Sequence, residues 1–343
     1  MLTLGLVALL LLALLLPFSV RHVEEELELF FLLVGAAAVT LQGQWSLTLL
    51  GQALREPLAI GAMALTAGFL FRHLRLPLRA GVAAAQRRWG ARWLALGLVL
   101  TLGLLSSLIT SVVAALVLAE AVSALKLPRP MELRLVILAC FSIGLGSCLT
   151  PLGGPLAAIA VSRLQAGSIQ ADFFFLARLL GLWVLPLMLF FAFLAAILVH
   201  GRASQAPGLV EDRPESAQDI LVRGAKIYGF VAGLILFGAG FAPLADRFLG
   251  PLPSGGLYWA NSLSALLDNA TLAATEIGPQ LAPERIRILL LGLLLAGGML
   301  VPGNIPNIIC ASKLRLGAKE WAFFALPLGL ATMAVVFLVL RFS

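Results

Sequence analysis

Apolar runs recur along the whole of this chain, and two of the longest are broken by proline and glycine. The first run, LTLGLVALLLLALLLPFSV at 2–20, is long enough to cross a bilayer, which takes about 20 apolar residues. It has neither the basic n-region nor the small-residue cleavage site of a signal peptide. Further runs lie at 29–45, 57–71, 93–125, 133–162, 172–199, 221–242, 256–278, 286–312 and 321–340. Only 12% of the residues are charged, against about 25% in a soluble domain. The pattern predicts an all-α polytopic membrane protein; a β-barrel would show short alternating segments instead.

The net charge of +7 comes from Lys and Arg in the short loops between runs, where they act as topology signals. No aromatic-basic surface is interleaved with them, which argues against nucleic acid as a partner. Segment 72–92 holds Arg72, Arg75, Arg79, Arg87, Arg88 and Arg92 and no acid, so it is expected on the cytoplasmic side of the inner (plasma) membrane. Its part 79–92 reads as an interfacial amphipathic helix. Lys313, Arg315 and Lys319 mark the cytoplasmic side again, and both termini are then external. Cys140, Cys148 and Cys310 have no metal-ligand spacing and read as packing residues. His22, His73 and His200 sit at segment ends as interfacial residues, and Asp172 and Arg178 are spaced to pair on one helix.

Three runs are peculiar. Run 93–125 is too long for one crossing and too short for two, has a polar centre SSLITS (106–111), and is flanked by basic residues at both ends. A re-entrant hairpin satisfies all of this. Run 133–162 is interrupted by TPLGGP (150–155) and run 286–312 by VPGNIP (301–306); neither sequence can continue a helix. The halves also match each other. SRLQAGSIQADFF (162–174) aligns with SKLRLGAKEWAFF (312–324) at an offset of 150. With one residue of slippage the breaks superpose, Pro151 on Pro302 and Pro155 on Pro306. SLITSVVAALVLAE (107–120) parallels SALLDNATLAATE (264–276).

The expected organisation follows. Residues 1–92 form N-terminal scaffold helices. Repeat 1 (93–199) comprises hairpin 93–125, broken helix 133–162 and full helix 172–199. A cytoplasmic linker (200–220) leads to repeat 2 (221–343), with helix 221–242, hairpin 256–278, broken helix 286–312 and helix 321–340. Three crossings separate the hairpins, so the repeats are inverted in the membrane. Inverted repeats with discontinuous helices characterise secondary transporters, and paired breaks point to the binding site.

The candidate site is drawn from those four segments. The hairpin tips supply Ser107, Thr110, Ser111, Ser264, Asp268, Asn269 and Thr271; the breaks supply Thr150, Gly153, Gly154, Asn304 and Asn307. Hard cations prefer such oxygen ligands, and glycine lets backbone approach closely. An intramembrane carboxylate costs about 2.5–3.5 kcal/mol and marks a functional site by default. Na⁺ is therefore expected at Asp268, Asn269 and Asn304, with H⁺ competing for Asp268. Simpler roles stay open: Asp268 as a helix N-cap with Thr271 completing the cap, Asn304 and Asn307 tying up broken backbone, and the Ser and Thr at 106–111 as helix-packing residues. Glu120 and Glu276, near the hairpin ends, read as interfacial residues or proton relays.

SALLDNATLAA resembles the S-x-x-x-D-N hairpin signature of the ion transporter superfamily, which includes NhaD-type sodium/proton antiporters, arsenite permeases and divalent-anion/sodium symporters. The order hairpin, broken helix, helix, twice over, is similar to that superfamily's fold across about residues 90–340. Within it, the chain most resembles a short prokaryotic family of unknown function described as predicted cation transporters. The resemblance implies sodium sites at hairpin tip plus helix break, homodimers, and elevator-like motion. At 110–111, Thr-Ser stands where relatives often have Asn-Thr, which weighs against a second sodium site there.

Two functions are thus expected, in order: exchange of Na⁺ or another monovalent cation for H⁺, and sodium-coupled uptake of a small organic or inorganic anion gripped by helix N-termini. No cofactor is expected. An enzyme is not, since the His pair or Ser–His arrangement it would need is missing. A channel would lack the alternating-access symmetry.

Overall fold

A computed structural model describes residues 2–20, 22–23, 26–165, 169–199, 217–249, 252–266, 269–277 and 281–342. Among these, every regular element is a helix and no strand occurs. The first part of the chain forms α1 (Leu2–Ser19), α2 (Leu27–Gln42), α3 (Leu47–Ile109), α4 (Ser111–Leu125), α5 (Arg129–Ser147), α6 (Pro155–Gln165) and α7 (Phe175–Leu198). The second forms α8 (Ala217–Leu249), α9 (Ser254–Ala260), a 3-10 turn over Asn261–Ala265, α10 (Asn269–Glu276), α11 (Pro283–Gly297), a 3-10 turn over Val301–Gly303, α12 (Ile305–Leu314) and α13 (Ala318–Phe342). Five stretches are long and apolar enough to cross a membrane: Leu76–Ile109, Arg129–Ser147, Phe175–Leu198, Ala217–Leu244 and Ala318–Phe342. This architecture is consistent with the polytopic membrane protein the sequence predicts.

Local chemistry sets the helix ends. Extended Ser46 opens α3, its Oγ accepting from Leu49 N–H at 3.0 Å. Gly90, at φ 79° and ψ 161°, then interrupts the helix, in a conformation open to glycine and costly to other residues. The segment 79–92 expected as an interfacial helix is helical up to that interruption and continues a helix begun at Leu47. The linker expected over 200–220 is also shorter, since its last residues already belong to α8.

In the scaffold, α2 and α8 lie unusually close. A Cβ on Gly35 would stand 2.6 Å from Phe237 N, so only a residue without one permits the approach. Phe31, fully buried, fills the seam with Phe230 and Phe237.

The remaining elements repeat. In the first half α3 ends at Thr110, α4 folds back along α3, and α5 follows; in the second, α9 and its 3-10 turn precede α10, and α11 follows. Each of α5 and α11 is succeeded by a break and a short helix. The breaks carry the same hydrogen bonds. In the first, Cys148 N–H reaches Leu145 O, Leu149 N–H reaches Gly146 O, and Gly153 N–H reaches Thr150 O. In the second, Gly298 reaches Leu295, Met299 reaches Ala296, and Gly303 reaches Leu300. Every pair is offset by 150, the register of the flanking match. The sequence reading, which superposed the prolines with one residue of slippage, is corrected here. Pro155 is the first residue of α6, whereas Pro306 is the second of α12. A first turn tolerates proline because its N–H groups lack helical partners anyway, so proline does not fix the register there.

The halves are also crossed. The helix after the second break, α12, packs on α4 of the first half, and the helix after the first break, α6, packs on α10 of the second. Cys310 on α12 points its thiol at Ala115 O of α4, at 3.5 Å. All three cysteines are free and buried, as packing residues should be.

Candidate functional site

Both breaks and both hairpin tips meet at one small cleft. Ser111 comes from the first tip and Asn269 from the second. Ser147, Cys148 and Gly154 come from the first break, and Gly303 and Asn304 from the second. Among the described residues, no lysine or arginine lines it. Four helices, α4, α6, α10 and α12, begin at its wall, so four sets of N-terminal N–H groups and four positive dipole ends converge on it.

The first tip is fastened to the break of its own half, and the second lies close to its own. Thr150 Oγ1 donates to Ser107 O in a short hydrogen bond, and Ser111 N–H donates to Gly153 O at 2.9 Å. Gly153 is required there, because a Cβ would collide with Ser147 O, whereas one on Gly154 would meet only ordinary contacts at 3.7 Å. In the second half, a Cβ on Gly303 would stand 3.0 Å from Ala265 O.

The predicted site residues divide into those that face the cleft and those that serve the backbone. Ser111, Gly154, Asn269 and Asn304 line it. Asn269 lies against Gly297, and its Oδ1 is buried with no hydrogen-bond partner among the described residues. Asn304 lies against Gly144 of the opposite half and, extended at φ −155°, caps α12 with its carbonyl. Thr110, at φ 70° and ψ 151°, ends α3 and caps α4, its hydroxyl accepting from Val113 N–H at 3.4 Å. Ser107 donates back to Leu104 O at 2.8 Å. Asn307 is fully buried, and its Nδ2 donates to Gly297 O and Leu300 O, each at 2.8 Å. It secures the second break, the structural alternative left open for it. Ser106 likewise packs helices, bonding Gly103 O and Ile143 O. Asp268 lies outside the described residues, and Thr271 is placed only as backbone of α10. Ser264 is fully buried but is not part of the cleft wall.

The glutamates behave differently from each other. Glu120 is buried within the protein: its side chain is 7% exposed and pairs at 2.6 Å with Lys313, itself 5% exposed. Glu276 accepts from Asn261 Nδ2 at 3.0 Å. Asp172 and Arg178 form the expected pair, at 2.7 Å and exposed.

Sequence reasoning missed four residues here. Ser147 sits in an unbroken apolar stretch, and Lys313 looked like a loop charge. Trp321, whose Nε1–H donates to Gly298 O at 3.2 Å and satisfies a carbonyl of the second break, gave no local signal. Asn261 could have been found, since it precedes Ser264 by the three residues of one 3-10 turn.

Compared with known families, residues 3–342 match the one described as "Protein of unknown function (DUF1646)". The chain belongs to the DUF1646 family. No curated protein matches this DUF1646 chain. The match spans both scaffold and halves, so the cleft and its four converging segments lie wholly within the DUF1646 region.

Proposed function

We propose that this DUF1646 protein is a secondary transporter that exchanges Na⁺, or another monovalent cation, for H⁺ across the plasma membrane. The observation that carries this reading is the cleft itself, where two helix breaks and two hairpin tips bring together hydroxyl and amide side chains, with no lysine or arginine among the described lining residues. Asp268 immediately precedes Asn269 in sequence and is the carboxylate through which Na⁺ and H⁺ would compete. Burial favours its protonated form and a bound cation its charged one. The crossed packing of α4 with α12 and of α6 with α10 supports inverted repeats with two re-entrant hairpins, 93–125 and 256–278. Segment 72–92 then faces the cytoplasm. The resemblance to the ion transporter superfamily adds a homodimer and elevator-like movement of the hairpin-bearing part.

A second reading is sodium-coupled uptake of a small anion. It is favoured by the four helix N-termini at the cleft wall, which suit a negative charge.

The test uses purified protein in proteoliposomes holding a pH-sensitive dye. With a pH gradient imposed, addition of Na⁺, Li⁺ or K⁺ should change the internal pH, and Asp268→Asn should abolish the change. A dye that responds to none of the three cations would overturn the exchange reading, and anion-dependent Na⁺ uptake would then support the second.

A further inference from the structure

The second hairpin holds a set of buried oxygens away from the cleft. Asn261 and Ser264 stand three apart on the 3-10 turn, so they share one of its faces. Both are fully buried. That face lies on α11: Asn261 Nδ2 reaches Leu289 O at 3.5 Å, and a Cβ on Gly292 would stand 3.4 Å from Asn261 Cβ. Across the hairpin, Glu276 closes α10, and its Oε2 accepts from Asn261 Nδ2 at 3.0 Å. Three oxygens are left over. Asn261 Oδ1, Ser264 Oγ and Glu276 Oε1 are all shut from solvent, and none has a hydrogen-bond partner among the described residues. Buried polar atoms are bonded about nine times in ten, so three orphans in this set, beside that of Asn269 at the cleft, call for a ligand.

We propose that Asn261, Ser264 and Glu276 form a binding site for a small monovalent cation of the Na⁺ class, separate from the cleft. The donor set is all oxygen: one carboxylate, one amide carbonyl and one hydroxyl, which suits a hard cation. Its single negative charge is balanced by a single positive one, and a divalent ion would leave net charge buried, at high cost. No Lys, Arg or His nitrogen of the described residues lies within 4.0 Å of this carboxylate. The first half has a glutamate at the matching place with a cation of the chain beside it. Glu120 aligns with Glu276, and there Lys313 Nζ stands 2.6 Å from the carboxylate. In the second half the charge that Lys313 supplies has to come from solution. Glu276 Oε2 is held by the Asn261 amide, which leaves Oε1 as the open ligand.

The experiment is equilibrium binding of radiolabelled Na⁺ to the purified full-length chain, for wild type, Glu276→Gln, Ser264→Ala and Asp268→Asn. Glu276→Gln should lower the bound stoichiometry by one ion per chain. Ser264→Ala should weaken the same ion by roughly tenfold. Asp268→Asn should leave it in place, so the hairpin site is separable from the cleft. A Glu276→Gln protein that does not purify as a monodisperse species leaves the decision to Ser264→Ala. Unaltered Na⁺ binding in the folded variants would overturn the proposal and assign the cluster to water alone, as would a wild type that binds no Na⁺. If the wild type binds one ion, and Glu276→Gln but not Asp268→Asn loses it, the hairpin site stands and the cleft reading fails.

Discussion

Glu120 and Glu276 occupy matching places in the two hairpins, and the chain has solved the problem of each acid differently. Glu120 is sealed by Lys313, which arrives on α12 from the opposite half. The residue that aligns with Lys313 is Arg163 on α6, a helix that does pack against α10. Yet Arg163 is exposed and Glu276 receives only an amide. The two halves therefore share backbone and not chemistry. The first hairpin's carboxylate is paired with an ammonium of the chain itself, while the second's is met by a neutral amide.

The largest effect should come from breaking that ion pair. Lys313→Met leaves a carboxylate buried without its counter-ion, a loss of about 3–5 kcal/mol. The double variant Glu120→Gln with Lys313→Met should recover most of it. Denaturant unfolding in detergent measures both, and equal losses in single and double variants would refute the pairing's asymmetric role. A smaller effect tests the shared backbone. Gly153→Ala and Gly303→Ala, at matching break positions, should each cost about 1–3 kcal/mol through overpacking. Gly154→Ala should stay within about 0.5 kcal/mol, as expected of a position whose counterpart is Asn304. If Gly154→Ala proves as costly as Gly153→Ala, the register of 150 is wrong. The smallest effect belongs to the pairs at the start of the last helix of each half. Asp172 pairs within its own half with Arg178, whereas Glu320 reaches across to Arg129 at 2.8 Å. The Arg178 guanidinium holds the Asp172 carboxyl below its usual range. A lowered folded value means a contribution that is present at neutral pH and disappears as pH falls through it. Arg178→Ala should return Asp172 to the ordinary carboxylate range, read by carbon NMR of labelled Asp, with no resolvable change in neutral-pH melting.

Much of this architecture could be read from the residues, and the remainder divides by sequence distance. The breaks announced themselves through TPLGGP and VPGNIP, because proline and glycine act within a few residues. The tip at Thr110 was bracketed by the polar centre of an overlong run. Proline misled on register, since two positions of a helical first turn accept it equally. What stayed hidden was non-local. Nothing near Lys313 says that it is buried, and nothing near Trp321 says that it serves a carbonyl of the preceding break. Asn269 and Asn304 were chosen for their chemistry and do face the cleft; Asn307 was chosen for the same chemistry and spends it on two backbone carbonyls.

The crossed packing has a consequence for how such a chain is made. Ala115 and Cys310, which meet where α4 and α12 touch, are 195 residues apart in sequence. A growing polypeptide delivers α4 to the translocon long before α12 exists. Until the last tenth of the chain emerges, the first hairpin has no neighbour for one side and no ammonium for its glutamate. Truncation anywhere before α12 would leave the first hairpin without that contact.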